Sequence, residues 1–143
     1  MTQNQITLVS LQETLKRLPD YGPAADFLPL FRDICAFMRG NDDEGVTLLV
    51  MLFDLSLRQW ETGEYLEPSV RVDLDELLPT IWDAESVDST RKMVTVTLCL
   101  ALQNTWRHMQ RRMETISNPK VRIKLLEAFE QYRRGPLDPW RDY

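Results

Sequence analysis

Leu8, Leu11, Leu15 and Leu18 recur at alternating spacings of three and four, which draws one apolar stripe along a first helix. Pro19 and Gly22-Pro23 end it. Ser10 stands at capping-box spacing from Glu13, and Thr7 is the competing cap. A second stripe, Phe27, Phe31, Ile34, Cys35 and Met38, occupies 24–39 and stops at Gly40, where a helix end favours a left-handed residue. Pro29 lies inside that stretch. An interior proline removes a backbone donor and clashes with the preceding turn, so the pattern predicts a kink or a later start near Pro29.

The third segment, about 43–62, follows the acidic turn Asn41-Asp42-Asp43-Glu44 and ends at Gly63. It is apolar on nearly every side, with Thr47, Asp54, Arg58 and Glu61 as a narrow polar strip, and is expected to be a mostly buried central helix. Residues 63–71 read as a loop. Asp73-Leu74-Asp75-Glu76 then reads as a cap and first turn of a short helix that Pro79 interrupts.

The longest candidate is contested. Val94, Val96, Leu98, Leu100 and Leu102 alternate as in a strand, whereas Val94, Leu98, Ala101, Leu102, Met109, Met113 and Ile116 follow a helical period. The helical pattern spans far more positions than an ordinary strand and contains neither Gly nor Pro, so one long helix over about 89–117 is expected. Asn118-Pro119 opens the last helix, which should reach about Arg134 with Glu130 and Arg134 as an ion pair one turn apart, before Gly135-Pro136 stops it. Together these elements predict an all-α fold, a compact bundle of about six helices. Residues 1–135 form its single helical domain and 136–143 a short aromatic tail.

The chain has 143 residues, enough for one domain with a sizeable core. Its longest apolar run, 48–53, is too short to span a bilayer. The opening residues carry no Lys or Arg ahead of an apolar stretch, so no secretory leader and no membrane role are expected. Two cysteines, Cys35 and Cys99, sit among apolar neighbours and suit free thiols in a cytoplasmic protein. The net charge of −5 hides an asymmetry. Residues 1–90 carry 6 Lys and Arg against 17 Asp and Glu, and residues 91–143 carry 11 against 5.

That asymmetry matters because reactive chemistry is sparse. His108 is the only histidine, which leaves a triad or a His-based metal site short of residues. Neither cysteine has a C-x-x-C partner. Asp42-Asp43-Glu44 lacks the spacing of a calcium loop. The glycines stand at expected helix boundaries and form no phosphate loop. No metal, no cofactor and no catalytic residue is therefore expected, and the chain reads as a non-catalytic macromolecule-binding protein of the adaptor, inhibitor, immunity or chaperone kind.

Its partner is expected to be another protein, or a second copy in a homodimer, docked through charged faces. Candidate protein-binding residues are the acidic turn Asp42, Asp43 and Glu44 and the tail residues Trp140, Arg141 and Tyr143, since aromatics and Arg favour interface anchors. A basic cluster, Arg107, Arg111 and Arg112 with Lys120, Arg122 and Lys124, supports the alternative of a nucleic-acid-associated regulator. An enzyme with an unrecognised carboxylate site is the third reading.

Overall fold

The computed structural model describes residues 6–137 together with Pro139 and Trp140. Seven α-helices follow one another: α1 (Leu8–Arg17), α2 (Ala24–Met38), α3 (Gly45–Glu61), α4 (Pro68–Leu77), α5 (Val87–Leu100), α6 (Gln103–Arg112) and α7 (Pro119–Gln131). Short 3-10 turns at Asp42–Glu44, Leu78–Ile81 and Met113–Thr115 lead into α3, out of α4 and out of α6. No strand occurs among the described residues, so the alternation over 94–102 reflects a helix that buries residues on more than one side.

α3 and α5 make the most extensive helix pairing, and α5 also packs on α7. α1 lies on α2 and α3, while α4 joins α2 to α6. Leu48, Leu52 and Leu55 of α3 meet a core that includes Phe27, Phe31, Leu74, Met93 and Leu100, all at most 1% exposed. Each such side chain contributes about 1.5–3 kcal/mol of hydrophobic burial. α3 is mostly buried, as its composition suggests, but Val46, Val50 and Leu57 remain on a solvent face.

Arg58 ties the end of α1 to this frame. Its guanidinium is bonded to Asp54 on its own helix at 3.1 Å and donates to the Leu15 and Leu18 carbonyls at 3.2 Å. Those carbonyls sit where α1 runs out of intrahelical partners.

Several helix boundaries differ from the expectations, each for a physical reason. α1 takes Thr7 as its cap: the Ser10 amide donates to Thr7 Oγ1 and the Thr7 amide to Ser10 Oγ, both at 3.0 Å. α2 is continuous through Pro29 from Ala24. Ala25 and Pro29 are both exposed, so the carbonyl that proline leaves unpaired stays on the wet side of the helix. α4 begins at Pro68, because Glu67 caps it by accepting from the Ser69 and Val70 amides; Asp73 and Asp75 therefore fall inside the helix instead of opening it.

The expected long helix over 89–117 is two helices. Ala101, with φ 58° and ψ 49°, is left-handed and ends α5, with the Leu102 amide reaching back to the Thr97 carbonyl at 3.0 Å. α7 ends at Gln131, short of Arg134, and no Glu130–Arg134 ion pair forms.

Candidate functional site

The break at Ala101 turns α6 so that Trp106 points inward, 4% exposed, against Phe129 of α7. The two rings meet edge to face at 5.0 Å. Beyond α7 the chain reverses through Gly135, whose amide donates to the Tyr132 carbonyl at 2.8 Å. Gly135 has φ 72°, and a Cβ there would come within 3.3 Å of the Trp106 indole. Positive φ and close approach both require glycine.

This reversal leaves a cleft of about 260 Å³ between α6 and the segment after α7. Trp106 and Pro136 line it, with the Gln103 and Gln110 amides at its edge. Arg107 from α6, whose guanidinium donates to Gln103 Oε1 at 3.5 Å, and Arg133 and Arg134 after α7 line the same cleft. All three arginines are exposed, and among the described residues none forms an ion pair. Three like charges around one recess favour an anion, and planar guanidinium groups match carboxylate geometry.

The expected basic cluster is divided among different surroundings. Arg107 enters the cleft. Arg112 instead stacks over the Trp82 ring at 5.9 Å and donates to Thr115. Arg122 donates to the Ile116 carbonyl at 2.9 Å, which fixes the entry to α7. Lys120 and Arg111 are exposed, and Lys124 is half-buried. Arg133 and Arg134 complete the cleft and were not among the expected residues; the signal was the Arg-Arg-Gly run after the last apolar stripe, where Gly135 reads only as a helix stop.

The tail is strapped to the bundle. The Trp140 indole donates to the Trp60 carbonyl, and the Trp60 indole donates to the Pro139 carbonyl, both at 2.9 Å. The Tyr65 hydroxyl donates to the Leu137 carbonyl at 3.0 Å, and its ring meets Trp140 edge to face at 5.1 Å. Trp140 thus anchors the chain to itself while keeping partial exposure. Arg141 and Tyr143, proposed beside it, lie outside the described residues. Asp42, Asp43 and Glu44 form the 3-10 turn ahead of α3, a place that suits acids electrostatically. None of them is in an ion pair among the described residues.

The nucleophile and base candidates stand apart from the cleft. Burial pushes the Cys35 thiol up to about 12, with Asp73 adding to the effect, and burial alone pushes Cys99 up to about 11. His108 packs edge to face on Trp82 at 6.1 Å. Partial burial lowers its pKa, and the Arg112 and Arg111 charges lower it further, so its surroundings favour the neutral ring. Among the described residues no three His, Cys, Asp or Glu side chains gather as a metal site would need, and no helix is long and apolar enough to cross a membrane.

The class the structure defines is an all-helical bundle, with an arginine-lined cleft at the α6–α7 end. No family model, curated protein or solved structure matches this chain, so no family name follows.

Proposed function

We propose that this protein is a non-catalytic binding module that docks a partner protein by taking an acidic segment of that partner into the α6–α7 cleft. One observation carries the reading: Arg107, Arg133 and Arg134 surround a single recess with no carboxylate paired to them among the described residues. Such groups remain available to an incoming anion, whereas paired ones must first be released. The apolar floor of Trp106 and Pro136 adds contact for a side chain flanking the acid.

A protein segment fits better than a nucleic acid. The whole chain carries a net charge of −5, which opposes long-range attraction to a polyanion. Nucleic-acid binding draws on many phosphate contacts along a track, and here the arginines converge on one recess of about 260 Å³. The acidic turn Asp42–Glu44 adds an opposite charge elsewhere on the surface, which orients an encounter with a partner of mixed charge.

The test is fluorescence anisotropy with a labelled Asp/Glu-rich peptide, a neutral peptide of equal length and a single-stranded DNA. The acidic peptide should bind, with affinity falling as salt rises. Arg107→Ala and Arg134→Ala should each weaken it about five-fold, as expected for one partly exposed charged contact. Tighter binding of the DNA, or equal binding of the neutral peptide, overturns the reading.

A further inference from the structure

A second cleft, about 430 Å³, opens where the start of α2 faces the turn between α3 and α4. Its volume falls in the range of small-molecule sites, about 300–1,000 Å³. Three kinds of chemistry meet there, on residues that the arginine cleft does not share.

The first is a buried acceptor. Gln59 lines the cleft and is 2% exposed. Its Nε2 donates to the Glu64 carbonyl at 2.9 Å, while its Oε1 accepts nothing. The amide orientation is fixed by that bond, because a flipped amide would set two carbonyl oxygens against each other. A buried, unpaired amide oxygen is costly, and a donor delivered by a ligand relieves it. The Glu64 side chain, exposed and outside any ion pair among the described residues, adds a negative charge at the rim.

The second is a donor wall. Ala24 and Ala25, the first residues of the 15-residue helix α2, line the same cleft. Their amides precede the first intrahelical bond, and Pro23 at the cap position offers no side-chain acceptor to them. Such a terminus attracts a carboxylate. The third is apolar: Pro23, Leu28, Tyr65 and Leu66 line the cleft, and the remaining lining residue is Glu67, whose carboxylate is already engaged by the Ser69 and Val70 amides.

We propose that this cleft binds a free α-amino acid with an aliphatic side chain. The ammonium group donates to Gln59 Oε1 near the Glu64 carboxylate. The carboxylate meets the amides at the start of α2. The side chain lies against Leu28 and Leu66. A zwitterion satisfies both polar walls at once, whereas a simple amine or a simple acid satisfies one.

Isothermal titration calorimetry of the full chain with L-leucine, isocaproate and isoamylamine tests this. Leucine should bind with a Kd of about 1 mM or tighter, and each analogue should bind at least about ten-fold more weakly. Gln59→Leu should abolish leucine binding. If that variant does not fold, Ala25→Asp serves instead: an acid in the first turn of α2 favours the helix and repels the ligand carboxylate, so binding should fall about ten-fold with the fold intact. Absence of heat at about 10 mM leucine, analogues that bind as well as leucine, or an unchanged affinity in Ala25→Asp each overturn the proposal.

Discussion

The start of α6 and the starts of α1, α4 and α5 are built differently. α1, α4 and α5 are capped from next door: by Thr7 and Ser10, by Glu67, and by Ser86, whose hydroxyl accepts from the Ser89 amide at 3.1 Å. α6 has no cap of its own, since Leu102 occupies the position. Its first amides turn instead to Asp75 of α4: Asn104 donates to Asp75 Oδ2 at 3.0 Å and Thr105 to Asp75 Oδ1 at 2.7 Å. The Thr105 hydroxyl donates to the Asp75 carbonyl as well, at 3.0 Å. α7 combines the two: Asn118 caps it locally by accepting from the Lys120 amide at 3.0 Å, while the Ser117 and Asn118 amides just ahead of it donate to the Glu85 carboxylate at 3.0 and 2.8 Å. Locally capped helices form from their own sequence. A helix capped from elsewhere forms only when the fold brings the acid to it, so α6 and the arginine cleft it carries depend on the rest of the bundle.

This difference also bears on the charge asymmetry. Asp75 and Glu85 belong to the acid-rich part of the chain, and their carboxylates serve backbone amides of the base-rich part. They spend their charge on helix starts and leave Arg107, Arg133 and Arg134 unpaired among the described residues. The two parts of the chain are thus joined through caps more than through ion pairs. Lys92 and Arg91 do bind Asp88, but within one helix.

The largest expected effect comes from removing the carboxylate that caps from afar. Asp75→Ala leaves the Asn104 and Thr105 amides without their acceptor and should destabilise the protein by about 2–3 kcal/mol in urea unfolding. Hydrogen exchange should rise first in α6, ahead of α1. Thr7→Ala, which removes the local cap of α1, should cost only about 1 kcal/mol. Equal losses for the two variants would erase the distinction between borrowed and local caps.

The next effect has the opposite sign. Ala101 holds a left-handed conformation that costs an L-residue about 1–2 kcal/mol. Ala101→Gly removes that strain but adds freedom to the unfolded chain, worth about 0.5–1 kcal/mol against it. The net is a stabilisation of about 0.5 kcal/mol, read as a higher urea midpoint with an unchanged slope. A loss of stability would mean that the break between α5 and α6 is not imposed against the preference of its own residue.

The all-helical class and the apolar faces were legible because they rest on periodicity within each segment. Leu48, Leu52 and Leu55 point inward as their spacing requires, and so do Val121, Leu125 and Ala128. The break at Ala101 was not legible. No Gly or Pro marks it, and the acid that supports it lies 29 residues away from Asn104. The cleft was half legible for the same reason. Arg107 stands out on the sequence, but its meeting with Arg133 and Arg134 depends on the reversal at Gly135 over Trp106, a tertiary contact. The strap of Trp140 on Trp60 joins residues 80 positions apart and carries no local signature.

The smallest effect separates the local cap of α4 by its response to acid. Hydrogen bonds from the Ser69 hydroxyl and amide, and from the Val70 amide, hold the Glu67 carboxyl below its ordinary pKa. A carboxyl with a depressed folded pKa contributes stability above its unfolded pKa of about 4.3, and that contribution fades as pH falls through the folded value. Glu67→Gln keeps an acceptor oxygen but has no proton to gain. The variant should therefore be slightly less stable than the parent at neutral pH, and the two should converge as the solution is acidified below about pH 4. A gap that stays constant across that range would place the advantage of Glu67 in packing or helix propensity instead of in its charge, and the local caps would then owe nothing to ionisation.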